Sequence, residues 1–229
     1  MTIALVEVKN VYCVGRNYRL HAEELGNAVP DSPMLFMKPS HAVVKACGES
    51  LTLPGTRGEV HYEVEVVLHI GRAYEPGISV DDLVDVMALG IDFTLRSVQD
   101  GLKAKGHPWL AAKGFLNSAP IGEFVPFLGI EEMGGTPFSL NINGSQVQLG
   151  HMEDMIFSPQ AIVDFVAEHY GLGPGDLIFT GTPAGVGPVQ DGDHFELFWS
   201  GEACGSLTIN LDNEGHGTSR GTDGEVGES

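Results

Sequence analysis

The segment His61–Ile70 constrains the fold more than any other part of this chain, because it combines a strand pattern with paired carboxylates. Successive side chains of a β-strand point to opposite faces of the sheet. Glu63 and Glu65 are therefore expected on one face. The other face carries apolar side chains, namely Tyr62, Val64, Val66, Leu68 and Ile70. This pattern predicts a strand whose apolar face lines a hydrophobic core.

The strand alone leaves two interpretations of Glu63 and Glu65 open. Polar residues at alternate positions usually form the solvent-exposed side of an antiparallel strand. Alternatively, two neighbouring carboxylates repel each other unless a cation lies between them or one is protonated, so the pair could bind a metal. Asp92, in the segment ALGIDFTL, could supply a third carboxylate. The three side chains form a candidate set of hard oxygen ligands for a divalent cation.

Short strand patterns outnumber helical ones along the chain, which indicates a β-rich α+β fold. Asn143-Gly144 predicts a type I′ hairpin, because both central positions of that turn need positive φ. Ser158 followed by Pro159 predicts the start of a helix that Gly171 ends. Strands are predicted at residues 11–15, 34–37, 60–70, 87–95, 138–143, 146–149, 177–180, 195–199 and 205–211, and further helices at 18–25, at 97–105 and from Ser79 with Asp82.

Composition argues against two classes of partner. The 229 residues include 31 acidic side chains and only 12 lysines plus arginines, and the net charge of −19 argues against binding to nucleic acid or to an anionic membrane. No apolar stretch approaches the about 20 residues that cross a bilayer, and no signal-peptide pattern is evident, so a cytoplasmic protein is expected. The three cysteines lack metal-site spacing and are expected to be reduced.

Two regions of the chain differ in composition. Residues 1–211 contain all the strand and helix patterns and no internal linker, which predicts a single catalytic domain. Residues 212–229 are rich in glycine, serine, threonine and acidic side chains, with almost no apolar residue. Such a segment cannot offset its ordering entropy by burial, so it is predicted to be a disordered acidic tail.

A histidine–glutamate pair and a glycine-rich turn are further candidate site features. His21 and Glu24 are three residues apart, a spacing that places both on one face of a helix. A carboxylate beside an imidazole raises its basicity and lets it take a proton from water, although a surface helical pair is the alternative. The run DLIFTGTPAGVG predicts a turn in which Gly181 and Thr182 could bind a carboxylate or enolate oxygen, with an ordinary tight turn as the alternative.

Cations are scarce in this acidic chain, so their positions near the other candidates are informative. Lys38 and Lys113 lie among apolar neighbours, where a lysine either extends its ammonium to solvent or pairs with an anion. Arg16, Arg96 and Gln99 lie near other candidates in sequence and could hold a substrate carboxylate, although a surface position is the default for each.

Seven segments together resemble the fumarylacetoacetate hydrolase family in order and spacing: YCVGRNYRLHAEE, PMLFMKP, HYEVEVVLHIG, ALGIDFTLRSVQD, GHPWLAAKGF, DMIFSPQAIV and DLIFTGTPAGVG. They lie between Val11 and Leu211. The resemblance is greatest to the small single-domain acylpyruvate and fumarylpyruvate hydrolases. It implies a mixed, rolled β-sheet with few short helices, a homodimer, and Mg²⁺ or Mn²⁺ in the site.

The resemblance also implies roles for individual residues. The family's metal carboxylates fall on Glu63, Glu65 and Asp92. Its base dyad falls on His21 and Glu24. Its lysine near the reacting oxygens falls on Lys113. Its substrate neighbours fall on Arg96, Gln99 and Thr182. Two places depart from the family pattern, the HME before DMIF and Asn117 after LAAKGF, and both bear on substrate selectivity.

These features predict a divalent-metal-dependent hydrolase that cleaves a C–C bond in an acylpyruvate such as fumarylpyruvate, with a small 2-oxo acid as its substrate. Water activated by His21 and Glu24 would attack the distal carbonyl, and pyruvate would leave as its enolate. Enolate chemistry would equally serve an oxaloacetate decarboxylase, or a 2-hydroxyhepta-2,4-diene-1,7-dioate isomerase or decarboxylase. A catalytically silent metal-binding or small-acid-binding protein is a third alternative.

Overall fold

The computed structural model describes residues 8–24 and 30–212 of the chain. Strands dominate this part. In chain order they are β1 (Val11–Gly15), β2 (Met34–Lys38), β3 (Val43–Lys45), β4 (Cys47–Leu53), β5 (Val60–Tyr62), β6 (Val64–Ile70), β7 (Val84–Ile91), β8 (Thr94–Leu95), β9 (Ala119–Ile121), β10 (Val125–Pro126), β11 (Phe138–Ile142), β12 (Ser145–Gly150), β13 (Leu177–Phe179), β14 (Gly187–Pro188), β15 (His194–Trp199) and β16 (Glu202–Leu211).

Helices are few and mostly short. They are α1 (Arg19–Glu24), α2 (Val80–Leu83), α3 (Arg96–Lys105), α4 (Leu110–Lys113), α5 (Ile130–Met133) and α6 (Pro159–Tyr170), with 3-10 turns at Ser40–Ala42, Gly55–Arg57 and Met152–Asp154. The start and end predicted for α6 are confirmed. The Ser158 hydroxyl accepts a hydrogen bond from the Ala161 N–H, Pro159 begins the first turn, and Gly171 follows the helix with φ 86°.

The strands form three sheets, which confirms the β-rich, mixed architecture. A large eight-stranded sheet has the order β2-β1-β13-β6-β7-β9-β3, with β10 paired to β7. A second sheet has the order β12-β11-β15-β16-β4, and a small sheet has the order β14-β5-β8. Parallel pairs (β1 with β13, β3 with β9, β4 with β16) occur among antiparallel ones. The Asn143-Gly144 hairpin between β11 and β12 is confirmed, with φ of 52° and 78°.

The main hydrophobic core lies between the large and second sheets. Phe195 of β15 is fully buried and packs edge-on against Phe93 and Tyr62, with ring centroids 5.8 Å and 5.9 Å away. Leu68 of β6 and Leu197 of β15 belong to the same core cluster. The strands that carry the candidate ligands therefore have a packed layer behind them.

Two predicted strands are each interrupted, and both interruptions fall at candidate ligands. The strand predicted at residues 60–70 ends its first part at Tyr62, and Glu63 separates β5 of the small sheet from β6 of the large sheet. The strand predicted at residues 87–95 breaks at Asp92, between β7 and β8. The solvent-exposed alternative for Glu63 and Glu65 is wrong, because these side chains are only 6% and 1% exposed.

Several elements were not predicted from sequence, and some predictions fall outside the described residues. Strands β3, β4, β9, β10 and β14 and helices α4 and α5 were missed. The predicted tail lies outside the described residues except for Asp212, whose backbone pairs with Leu53 and Thr56 and which is therefore an ordered residue. The three cysteines form no disulfide. No helix in residues 8–24 and 30–212 has the length and hydropathy needed to span a membrane.

Candidate active site and metal centre

Three carboxylates meet where the large and small sheets join. Glu63 and Asp92 lie at the two strand interruptions, and the Asp92 N–H donates to the Glu63 carbonyl at 2.8 Å, which ties the interruptions together. Glu65 follows on β6. One oxygen of each of the three side chains lies within 4.8 Å of the others, and all three side chains are buried. This spacing suits a shared divalent cation.

Lys113 and Arg96 neutralise Glu63 from two sides. The Lys113 ammonium donates to Glu63 at 2.8 Å, to Asp92 at 2.5 Å and to the Thr94 hydroxyl at 2.6 Å. The Arg96 guanidinium lies 2.5 Å from the other Glu63 oxygen. Burial alone would raise the pKa of Glu63, but the charges of Lys113 and Arg96 outweigh it and hold that pKa far below its usual value.

Lys38 is a second lysine that pairs with Asp92. Its ammonium lies 2.7 Å from Asp92 Oδ1, and both side chains are fully buried. The contact is a buried salt bridge. The same ammonium donates to the carbonyls of Phe93 and Lys113 and to the Ser118 hydroxyl. Lys38 thus joins β2, the Asp92 interruption and the end of α4, a role that its apolar sequence neighbours did not reveal.

Glu65 has no cationic partner in the described part of the chain, although it is only 1% exposed. It accepts one hydrogen bond, at 2.7 Å, from the Gly181 N–H. Burial raises the pKa of Glu65 well above its usual value, and repulsion from Asp92 and Glu63 raises it further. A buried carboxylate without a counter-charge is costly, and a hard cation at this face would supply that charge. The donor set therefore fits Mg²⁺ or Mn²⁺, which is the cofactor expected from the sequence.

His21 and Glu24 lie on the short helix α1. His21 is 5% exposed, and its Nδ1 lies 3.6 Å from the Glu24 carboxylate, beyond hydrogen-bonding distance. Glu24 is partly exposed and accepts weakly from the Gly185 N–H at 3.2 Å. Burial lowers the pKa of His21, and this effect exceeds the opposite influence of Glu63 and Glu24. The imidazole is therefore neutral at neutral pH and can accept a proton.

The glycine-rich turn contributes differently from the sequence prediction. The Gly181 N–H, expected to bind a substrate oxygen, donates to Glu65 instead. Gly181 has φ 103°, and an added Cβ would lie 2.7 Å from the Cβ of Asn17, so only glycine fits. The buried Thr182 hydroxyl accepts from Gln148 Nε2 at 2.9 Å.

Gln148 was not predicted from the sequence. This buried side chain on β12 accepts from the Val64 N–H at 2.9 Å and donates to the Thr182 hydroxyl and the Pro183 carbonyl. It therefore fixes the backbone between Glu63 and Glu65 relative to the glycine-rich turn. No local pattern signals it, because its partners come from other sheets and loops.

One cleft brings most of the predicted residues together. Three predicted residues do not line it. Asp92 bonds to the lining residue Lys113, and the Gly181 N–H donates to the lining residue Glu65. Glu24 lines an adjoining opening together with Arg96. Gln99 is buried and accepts from Arg96 at 2.7 Å. The predicted residues that line the cleft are Arg16, His21, Glu63, Glu65, Arg96, Gln99, Lys113 and Thr182, and Lys103 and Trp109 join them without having been predicted.

The two departures from the family pattern lie away from this cleft. Met152 of the HME segment is 2% exposed and packs in the core, and the His151 carbonyl accepts from the Tyr18 hydroxyl at 3.1 Å. Asn117 adopts φ 64° and donates to the Thr52 carbonyl at 3.0 Å, as a turn residue does. Their influence on selectivity would therefore be indirect.

Comparisons with known proteins agree with this geometry. Residues 10–211 match the family model described as fumarylacetoacetate (FAA) hydrolase C-terminal. Oxaloacetate tautomerase YcgM of Escherichia coli is 38% identical over 201 residues, which cover 86% of this chain and 90% of that protein. Human mitochondrial oxaloacetate tautomerase FAHD1 is 40% identical over 190 residues, covering 82% and 86%. The structure of Pseudomonas aeruginosa fumarylpyruvate hydrolase with Mn²⁺ and pyruvate has a TM-score of 0.83 and 35% identity, covering 90% and 91%.

Proposed function

Because the chain belongs to the fumarylacetoacetate hydrolase family, we propose that it is an oxaloacetate tautomerase that uses Mg²⁺ or Mn²⁺ to interconvert the enol and keto forms of its substrate. Family membership, predicted from seven sequence segments, is confirmed, and the chain is a metal-dependent enzyme of this family. The two tautomerase relatives favour an oxaloacetate reaction over the acylpyruvate hydrolysis expected from the sequence.

The observation that carries the proposal is a neutral imidazole and a buried ammonium that line one cleft beside the three carboxylates. Tautomerisation moves one proton between C3 and the oxygen on C2 and needs no water. His21 takes the proton from C3 of the keto form and, after the electrons have moved to the C2 oxygen, a proton is returned to that oxygen. Lys113, whose three N–H groups are taken by Glu63, Asp92 and Thr94, stabilises the negative charge that develops on this oxygen through its own positive charge.

A bound divalent cation would act as a Lewis acid toward the 2-oxo group. Glu63, Glu65 and Asp92 would hold it, and Lys38 and Lys113 keep Glu63 and Asp92 in position. Arg96 and Gln99, already joined at 2.7 Å, present the guanidinium to the substrate carboxylate next to C2. Thr182 also lines the cleft.

A second candidate function is hydrolysis of an acylpyruvate. The His21–Glu24 pair is compatible with it, because an imidazole supported by a carboxylate can take a proton from an attacking water. The Pseudomonas aeruginosa neighbour is a fumarylpyruvate hydrolase. The homodimer implied by the resemblance and the cytoplasmic location both stay predictions.

The decisive experiment follows the absorbance of freshly dissolved enol-oxaloacetate with and without the Mg²⁺-loaded enzyme. Enol decay faster than in buffer, without equivalent pyruvate release, is the expected result. A matched pair of variants, His21→Ala in the cleft and His194→Ala at an exposed site on β15, separates cleft chemistry from general imidazole catalysis. No acceleration with oxaloacetate, together with pyruvate release from acetylpyruvate or fumarylpyruvate, would replace the proposal by the second candidate.

A further inference from the structure

Lys103 lines the cleft, and none of the roles assigned above includes it. It lies on α3, where Arg96, Gln99 and Lys103 are spaced three, four and seven residues apart and so share one helix face. All three side chains line the cleft, and Lys103 is half-buried there. Lys105 is an exposed lysine on the other side of the same helix. The position of Lys103 is therefore specific to the face that looks into the site.

The Lys103 ammonium has no anionic partner in the described part of the chain. It lies 5.5 Å from the centroid of the Trp109 ring, a cation–π contact that holds it without neutralising it. Burial lowers the pKa of Lys103 and repulsion from Arg96 lowers it further, while Asp100 and Glu63 act in the opposite direction. Neither carboxylate is within salt-bridge distance of the ammonium.

Arg16 is a second cation in the same condition. Its Nε is shielded from solvent and has no hydrogen-bond partner among the described residues. The residue adopts φ 58°, a left-handed conformation that a residue with a side chain rarely takes without a compensating reason. Arg16 and Lys103 line both the cleft and an adjoining opening that also contains His107 and Trp109. The two like charges therefore lie near enough to repel each other where the cleft and this opening meet.

The other cations of the site already have anionic partners. Lys38, Lys113 and Arg96 pair with Glu63 and Asp92, and Glu65 is left for the bound divalent cation. Lys103 and Arg16 form no salt bridge with any of the three carboxylates. Two cations that line the same cleft without an ion-pair partner favour an anionic group between them.

We propose that Lys103, together with Arg16, binds the distal carboxylate of the substrate and makes the site selective for 2-oxo dicarboxylates over 2-oxo monocarboxylates. The inference rests on the proposed function in one respect, because it takes the 2-oxo end of the substrate to lie at Glu63, Glu65 and Asp92. It adds a recognition element for the other end of the molecule.

The test compares two unreactive ligands that differ only in the distal carboxylate. Calorimetric titration of the Mg²⁺-loaded protein with L-malate and with L-lactate gives the ratio of their dissociation constants. We expect malate to bind at least about tenfold more tightly, as one charge-assisted hydrogen bond would provide. Lys103→Met should weaken malate binding about tenfold and leave lactate binding unchanged. Lys103→Arg should retain the preference, and Lys105→Met is the matched surface control.

Each outcome supports or overturns the inference. Equal affinity of the native protein for malate and lactate overturns it, as does a Lys103→Met variant that keeps the native ratio or weakens both ligands equally. Loss of the malate preference in Lys105→Met as well would show a long-range charge effect and also overturns it. A malate preference in a protein that fails to tautomerise oxaloacetate would leave this inference standing and reject the proposed function. Tautomerisation of oxaloacetate by a protein without a malate preference would support the proposed function and overturn this inference.

Discussion

Two groups of charged side chains at the site differ in how they are held. The first, here called the carboxylate wall, comprises Glu63, Glu65 and Asp92 with their neighbours Lys38 and Lys113, and the second, called the α1 wall, comprises His21 and Glu24. Lys38, Asp92 and Lys113 of the carboxylate wall are at most 2% exposed, and each makes several polar contacts. His21 and Glu24 of the α1 wall belong to a six-residue helix and approach each other no closer than 3.6 Å. One wall is fixed by folding, whereas the other keeps a group free to exchange a proton. The difference suggests that binding and proton transfer are assigned to separate walls.

The largest expected effect separates turnover from metal binding and concerns His21 on the α1 wall. His21→Ala should lower kcat with oxaloacetate by roughly 10²- to 10⁴-fold, because a positioned proton acceptor contributes about that much. Mg²⁺ affinity, measured by calorimetry, should stay close to that of the native protein. A near-normal kcat would return His21 and Glu24 to the alternative of a simple helical pair and would remove the catalytic half of the comparison.

Next in size is a stability effect on the carboxylate wall. Lys38→Met should lower the free energy of unfolding of the metal-free protein by about 3 kcal/mol, since removing one partner of a buried ion pair costs about 3–5 kcal/mol and Lys113 still pairs with Asp92. Urea titration measures the change, with the exposed Lys45→Met as the matched control. If both variants lose the same stability, the carboxylate wall is not held as described.

A smaller effect tests the metal site itself. Glu65→Gln should weaken Mg²⁺ binding by at least about tenfold, because it removes a charged ligand. In metal-free protein the same variant should keep or raise the melting temperature, because Glu63 and Asp92 repel the carboxylate that it removes. An unchanged Mg²⁺ titration would exclude Glu65 as a ligand.

The smallest effect is a pH shift. Burial lowers the pKa of His21 from its ordinary value of 6.5, so kcat/KM should fall only as the pH drops below that value and the imidazole becomes protonated. The Glu24 carboxylate raises the same pKa, so Glu24→Gln should move the acidic limb to still lower pH. Glu23→Gln, an exposed change on the same helix, should leave the limb in place. A shift to higher pH would contradict the assignment of the limb to His21.

Local sequence patterns sufficed where a feature depends on neighbours in the chain. The alternation of Glu63 and Glu65, the Ser158-Pro159 helix start and the Asn143-Gly144 turn are all set within a few residues. The interruption at Glu63 was not predictable in this way, because the alternation of apolar and polar residues continues through it and the break arises where the chain changes from the small sheet to the large one. Tertiary pairing overrode the local pattern.

The contacts of the residues that support the site could not be predicted for a related reason. Lys38 and its acceptor at Phe93 are 55 residues apart, and Gln148 and its donor at Val64 are 84 apart. A lone lysine among apolar residues predicts either an exposed or a paired ammonium, and nothing nearby names the partner. Gly181 was assigned to the substrate because its N–H is suitably placed in a turn, but Glu65 takes that N–H in the folded chain.

The hydrogen bond from the Asp92 N–H to the Glu63 carbonyl has a consequence for the local dynamics of the protein. It joins the two points at which the chain passes between the large and small sheets, so opening it requires those sheets to separate. Deuterium should therefore enter this amide only through global unfolding, whereas amides of the short α1 helix should exchange through local fraying. The spacing of the carboxylates cannot relax by itself, and this protein would lose its metal centre and its fold in the same event.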